Sequence, residues 1–584
     1  PYPITLGPHG FYWFSMESRT APQDLGRPSE TAISSLVIRR RPEDLLTQTY
    51  RARLETALAR YMRRSRWFGG KGRRIRSVTI RDIVPLSTAD VDAHFVILRV
   101  EYTEGEPESY LIPIAFATGE RAAQLSNENP NQLIANLEQR GGAGTAMIVI
   151  DALALPEFRA ALLEAIGRRR QFRSTNGVVA SVRTRAVYTH ARGDIHEPLD
   201  STLVRGEQSN SSIVYGDRFI LKLYRKLEEG TSPELEIGRF LTERHAGSTN
   251  SPAVAGAIEY RSRPRAEPIT LSVLHTYVRN EGDAWSYTLD ELGRYFDHVL
   301  TLTDQSPPMP ADRALLTVAR EEVPYPADEA IGTYLESAHM LGRRTAELHL
   351  ALASAMDEDD FAPEPFSAIY QRSLYHGQRA YAVQVLRQLR SALGSLTPDG
   401  RSNAEAVLGK TDKIMARFQS ITRRRISAMR TRCHGDYHLG QVLHTGRDFV
   451  IVDFEGEPAR SLGERRIKRS PLRDVAGMIR SFDYATHVAV HGHASTVVRS
   501  EDISRLNEWA QSWYTWVAGG FLRAYMEIMS DTPVLPSRLE DTRIILDNYI
   551  LQKALYEVSY ELNNRPDWVS VPLQGILQVL ESSE

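Results

Sequence analysis

Between Cys433 and Glu457 the chain reads CHGDYHLGQVLHTGRDFVIVDFEGE, and this stretch restricts the possible folds more tightly than any other. His434-Gly435-Asp436 has the residues of a tight turn. Phe449-Val450-Ile451-Val452 is a β-branched run that reads as a strand, ending in Asp453 with Gly456 just beyond. The two acids lie seventeen residues apart around a short hairpin, so they come to adjacent strand ends. One carboxylate so placed can take the proton of an attacking hydroxyl. The other, with the amide oxygen of Gln441, offers hard oxygen ligands to the Mg²⁺ that travels with ATP. Each motif alone is ordinary turn chemistry. Together and in this order they predict phosphoryl transfer, with Asp436 as the catalytic base and Gln441 and Asp453 as metal ligands.

These residues resemble the aminoglycoside-phosphotransferase-like kinases, whose catalytic loop reads HGDxHxxN and whose metal-binding Asp ends the next strand; Gln441 stands where most of them carry Asn. The longer run HGDYHLGQVL, continued by VDFEGEPARSLGERRIKRSPLRDVAGMIRSFDYA, is similar to the bacterial maltokinases. So are RRSRWFGGKGR from Arg63 to Arg73, PELEIGRFLTE from Pro233 to Glu243 and KALYEVSYELNNRPDW from Lys553 to Trp568. The resemblance runs from Pro42 to the C-terminus. It implies an α+β, bilobal protein-kinase-like fold with an N-terminal α+β cap and a mainly helical C-lobe. It also implies ATP-dependent phosphorylation of maltose at its anomeric hydroxyl, giving maltose 1-phosphate and ADP within trehalose and glycogen metabolism. Two other readings stay open. One is a kinase for an aminosugar or aminoglycoside, whose cation would want an acidic pocket. The other is a pseudokinase serving as a regulatory or glucan-docking module, against which an intact Asp436, Gln441, Asp453 and Lys222 argue.

Composition narrows the remaining classes. A chain of 584 residues exceeds one core and suggests three or four structural units. With 42% apolar and 25% charged residues and a net charge of −2, it lacks the basic field that nucleic acid or anionic lipid would require. Its single cysteine, Cys433, rules out an intrachain disulfide and fits a reducing cytoplasm. No run approaches the roughly 20 apolar residues that cross a bilayer, so a cytoplasmic protein without membrane partners is expected.

Along the chain, the aromatic-rich segment Pro1 to Glu17 is similar to the closing strand of the C-terminal β-domain of trehalose synthases. The expected organisation is therefore a tail strand of an upstream trehalose-synthase-type domain (1–18), fused through a linker (19–41). A cap (42–130), an intermediate subdomain (131–200), a kinase N-lobe (201–280) and a C-lobe with the catalytic and sugar sites (281–584) follow. Strands are predicted at Val78 to Val84, His94 to Tyr102 and Ser109 to Phe116, and later at Phe219 to Leu223 and Ile269 to Val278. Long helical patterns fill the C-lobe, one of them from Asn403 to Met429.

For ATP, the loop GEQSNS lacks GxGxxG, so Ser209, Asn210 and Ser211 would supply phosphate donors from side chain and backbone. Lys222 on its strand suits the α- and β-phosphates, with Glu236, or alternatively Glu234, holding it extended, and Tyr277 and Val278 form the hinge that greets adenine. For the sugar, Tyr556, Glu557, Tyr560, Glu561, Arg565 and Trp568 supply aromatic faces and bidentate groups near the end of the last long helix, with His438 and Glu455 as further candidates. His349 reads as a packed helix residue. Asp474 serves either as a brace for the catalytic loop or as a helix-dipole partner. The charge cluster from Arg460 to Arg473 either guides phosphates or is a solvated loop.

Overall fold

Among the described residues are two seven-stranded sheets, two short two-stranded sheets and a helical body. The computed structural model describes residues 33–581, except 89–90, 141–145, 195–196, 205–208, 246, 248, 303–305, 311–313 and 492–501. The first sheet contains β1 (Ser34–Ile38), β2 (Ile75–Pro85), β3 (Ala93–Tyr102), β4 (Glu108–Thr118), β5 (Leu133–Gln139) and β6 (Met147–Asp151), in the order β1-β5-β6-β4-β3-β2. Only β1 and β5 run parallel among these pairs. The helix Arg51–Arg64 buries Leu54, Leu58 and Tyr61 against one face of this sheet. The other face, with Phe95, Ile97, Leu111 and Ile150, shares one core with Phe158, Ile213 and Phe219 of the next unit. Burial on both faces explains why β3 and β4 are apolar nearly throughout instead of alternating.

This corrects two expected boundaries. The linker 19–41 ends in β1, a full member of the sheet; its polar composition hid the alternating Ser34, Leu36 and Ile38, all buried. The intermediate subdomain 131–200 is no separate unit, because β5 and β6 complete the cap sheet while the helix Pro156–Gly167 and the strands after it join the N-lobe. The expected tail strand 1–18 lies outside the described residues.

The second sheet is wholly antiparallel, in the order β7-β8-β13-β14-β11-β10-β9. Its members are β7 (Gln171–Arg173), β8 (Val178–Arg183), β9 (Ser201–Leu203), β10 (Asn210–Tyr215), β11 (Phe219–Tyr224), β13 (Val254–Arg261) and β14 (Ile269–Thr276). The short β12 (Lys226–Leu227) leaves β11 and crosses to pair with β4 of the cap. The helix Pro233–Arg244 packs against β13 and β14 of this sheet.

The C-lobe is helical around a core shared by the helices Ala284–Thr301, Tyr334–Leu352, Leu472–His491 and Ile503–Met529. The predicted helix from Asn403 to Met429 breaks in two, Pro398–Gly409 and Thr411–Ser420, where Lys410 leaves helical geometry with φ −99° and ψ 19°. Its last residue, Met429, and the following Arg430 pair as a strand with Glu364–Pro365. No described helix is long and apolar enough to cross a membrane.

Candidate active site

The hairpin forms as its residues direct, with Val442 opposite Ile451 and His444 opposite Phe449. It sets Asp436 before its first strand and Asp453 after its second. Asp474, fully buried at the start of the helix Leu472–His491, accepts the backbone N–H groups of His434 (2.8 Å) and Gly435 (2.9 Å). Its Oδ2 also lies 3.1 Å from His349 Nε2, and His349 Nδ1 lies 3.0 Å from the Tyr525 hydroxyl. Burial alone would raise the Asp474 carboxyl, but His349 and these amides hold it below its ordinary range. Of the two roles open for Asp474, bracing the loop is therefore the one the geometry realises.

His434 ties the two loops together: its Nε2 lies 2.9 Å from the Val452 carbonyl, beside Asp453. The backbones touch where Gly435 (φ 90°) meets Gly456 (φ 73°), and a Cβ on Gly435 would stand 3.3 Å from Gly456 Cα, so glycine is needed at the crossing. Asp453 itself is held at φ 67°.

Asp436 Oδ1 receives the Lys553 ammonium at 3.1 Å. Burial pushes this carboxyl up, yet Lys553 and His438 outweigh it and hold the group at about 2. The carboxylate is thus ionised at neutral pH. Lys553 was not singled out from the sequence, although the signal was present: Lys553, Tyr556, Glu557 and Tyr560 share one helix face at spacings of three, four and seven. His438 accepts the Gly440 N–H on Nδ1 at 3.1 Å, and burial keeps its ring below the usual histidine range. The neutral ring then carries its proton on Nε2.

Lys222 departs from expectation. Its ammonium bridges Asp453 Oδ1 (2.6 Å) and Glu455 Oε1 (2.7 Å), whereas Glu236 is taken by Arg432 and Arg466, both at 2.6 Å, and Glu234 faces His275 at 2.9 Å. Two guanidiniums satisfy both Glu236 oxygens, so that carboxylate has no need of a lysine. Burial opposes charge on Lys222, but Asp453 and Glu455 hold it well above its ordinary range. Burial lifts Glu455 to about 7, with Lys222 countering and Asp453 adding to the rise; Asp453, despite burial, is held low by Lys222. Gln441 hydrogen-bonds Asp453 as well. Asp453 and Glu455 thus bring hard carboxylate oxygens to one point, a donor type that suits Mg²⁺, with the Gln441 amide donating to Asp453 beside them.

Asn210 Nδ2 reaches Glu455 at 3.0 Å, and Ser209 and Asn210 line a small cavity of about 100 Å³ with it. Ser211 is a correction: its hydroxyl is buried against Arg225 Nε (2.9 Å), inside the lobe instead of toward phosphates. The beginning of that loop, 205–208, lies outside the described residues. At the hinge, the Tyr277 N–H goes to the Arg218 carbonyl (2.9 Å) and the Val278 carbonyl receives the Asn280 amide (2.8 Å).

Two cavities of about 280 and 550 Å³ share Asp436, Gly477, Lys553 and Tyr556. The smaller reaches Tyr381, Glu457 and Arg473; the larger reaches Trp285, His438, Arg480, Tyr484, Tyr560 and Arg565. Of the sequence candidates, His438, Tyr556, Glu557, Tyr560, Glu561 and Arg565 line the larger one. Glu455 instead sits on the phosphate side with Lys222, and Trp568 lies off the cavity, its ring stacked on Tyr484 at 6.2 Å. Three of the carboxylates facing these cavities are matched by arginine, Glu457 with Arg460 and Arg473, Glu557 with Arg480, and Glu561 with Arg565 and the Tyr484 hydroxyl, whereas Asp283 accepts the Ser286 N–H and Glu464 is held by Ser461. The 460–473 cluster is accordingly no solvated loop, since Arg465 and Arg466 also pair, with Glu228 and Glu236. Arg480, which is 2% exposed, and Tyr484 escaped the sequence reading because a helix otherwise apolar in pattern carries them.

Residues 61–154 match the maltokinase N-terminal cap domain family. Over 479 residues the chain is 23% identical to a glucosamine kinase of Streptacidiphilus jiangxiensis, covering 80% of this chain and 95% of that one. It is 25% identical over 376 residues to a glucosamine kinase of Mycolicibacterium smegmatis, covering 64% and 78%. Among solved structures, a glucosamine kinase in complex with glucosamine, ADP and inorganic phosphate superposes with a TM-score of 0.53 at 17% identity, over 86% of this chain and 93% of that one. A second crystal form gives 0.53 at 19% identity, over 88% and 96%. The fold is theirs, and a maltokinase-type cap stands on the kinase-like body.

Proposed function

We propose that this maltokinase-like protein is a sugar kinase that transfers the γ-phosphoryl group of ATP to the anomeric hydroxyl of maltose. ATP brings the phosphoryl group; Asp453 and Gln441, with Glu455 beside them, would hold a Mg²⁺ ion, which when bound would supply positive charge to that group. Asp436, ionised and aimed by Lys553, orients the hydroxyl and takes its proton. Lys222 supplies positive charge to the phosphates, and Asp474 and His434 keep the two loops fixed, so positioning and electrostatics carry the rate. The His438 Nε2–H and the Arg480–Glu557 pair are the polar groups that a bound sugar meets first.

The observation that carries the maltose reading is the two-part cavity meeting at Asp436, with room for two rings and with Asp436, Glu457, Glu557 and Glu561 already paired to lysine or arginine, while Asp283, Glu464 and Asp474 are held by backbone amides, Ser461 and His349. A neutral polyol fits such a lining; an ammonium would have to compete with a cation already in place. The whole-chain likeness to glucosamine kinases favours the second reading, an aminosugar. A coupled assay for ADP release with maltose, glucosamine and an aminoglycoside separates them. We expect kcat/KM for maltose to exceed that for glucosamine by about a hundredfold or more; the opposite ranking assigns the site to the aminosugar.

A further inference from the structure

Arg480 carries a full charge at 2% exposure. It leaves the helix Leu472–His491 with its Nε (3.1 Å) and Nη2 (2.6 Å) donating to Glu557 Oε2 and its Nη1 to Asp483, which is itself buried. Arg480 and Glu557 both line the larger cavity. Burial pushes the Glu557 carboxyl up and Arg480 opposes the rise, so the carboxylate depends on the guanidinium beside it. The same guanidinium meets the helix Ser570–Glu581 at its only glycine, the buried Gly575. A Cβ there would run into Arg480 Nη1, and would stand 2.7 Å from its Cζ and 3.0 Å from its Nη2.

Glycine is disfavoured inside a helix, and Gly575 has no left-handed backbone to require it. The space it leaves is what the guanidinium fills. Neither side of that slot yields. Leu573, Ile576 and Leu580 of this helix share a core with Leu551, Ala554 and Val558 of the helix Leu539–Asn564, the one that carries Glu557. The two helices are thus packed as one wall. The head of an arginine can ordinarily swing aside, but this one is fixed between two carboxylates, and moving it would leave charges buried without partners.

We propose that Gly575 is a positioning residue that seats Arg480 against Glu557, so that the C-terminal helix sets the affinity of the sugar site. This rests on the reading of the larger cavity as that site. The test uses the full chain as wild type, Gly575→Ala, Arg480→Lys, the double variant of these two, and Gln574→Ala as a control at an exposed position of the same helix. KM for ATP, kcat and KM for maltose, or for glucosamine where that is the sugar turned over, are measured, with thermal unfolding as a check on folding. Gly575→Ala should raise the sugar KM about tenfold with the KM for ATP within about twofold. Arg480→Lys should raise the sugar KM as well, since an ammonium cannot hold Glu557 with a fork. It also frees the slot, so the double variant should match Arg480→Lys instead of adding a second loss, and it decides the matter if Gly575→Ala alone does not fold. Gln574→Ala should behave as wild type. A folded Gly575→Ala with the wild-type sugar KM, or with both KM values raised together, overturns the inference, as does a double variant that fails to fold or in which the two losses add in full. A wild-type sugar KM in Tyr484→Ala, which lines the same cavity, overturns the sugar-site reading instead.

Discussion

The Lys553 ammonium sits 3.1 Å from Asp436 Oδ1 across 117 residues of chain. The pair sets the state of the proposed base. Because the Asp436 carboxyl is held at about 2, below its ordinary 3.8, its ionised form stabilises the fold fully above the ordinary value, and that contribution is lost as pH falls toward 2. The kcat profile should therefore show no acid limb from this group between about pH 5 and 8. Lys553→Met removes the main group that opposes burial and leaves His438 and His434 to oppose it, so the carboxyl should titrate higher and an acid limb should enter the profile. A variant profile superimposable on wild type would remove Lys553 from this role.

Asp436→Asn keeps the shape of the loop and removes the proton acceptor. We expect kcat to fall about a thousandfold, with ADP affinity within about twofold of wild type. Retention of more than about a tenth of the activity would take Asp436 out of the reaction.

Asp453 sits at φ 67°, a backbone conformation that asparagine tolerates and alanine does not. Asp453→Asn is therefore the clean substitution, and it should abolish the Mg²⁺ dependence of ATP binding while moving thermal stability little. Calorimetry with and without Mg²⁺ reads this directly, and unchanged Mg·ATP affinity counts against the metal assignment.

Asp474 holds two consecutive amides of the catalytic loop and meets a buried histidine. Asp474→Ala should cost about 3 kcal/mol in denaturant unfolding and lower kcat through loop disorder. A stable variant with normal kcat would show that the loop is held elsewhere.

The sequence announced the hairpin and its two acids, since turn glycines, a β-branched run and terminal carboxylates are local signals. The placement of Lys222 on β11 was legible in the same way. What stayed hidden was pairing over distance. Nothing local says that Glu236 meets Arg432 and Arg466 instead of Lys222, or that Lys553 returns to Asp436. The cap boundary failed for a related reason: β5 and β6 read as ordinary strands, and only their pairing with β1 and β4 assigns them to the cap.

Trp568 sits one layer back from the larger cavity. Its ring stacks on Tyr484, which lines the larger cavity. Tyr484→Ala should raise the sugar KM more than Trp568→Ala does, and neither should move the KM for ATP. Equal effects on both substrates would make the aromatic pair part of the core.

The most direct test of the account is the identity of the product. The purified chain is incubated with ATP, Mg²⁺ and maltose, and the product is followed by proton and phosphorus NMR. The account predicts stoichiometric ADP and a phosphate ester whose phosphorus couples to the anomeric proton of the reducing ring. A phosphate at any other position, or none with maltose but one with glucosamine, would contradict it.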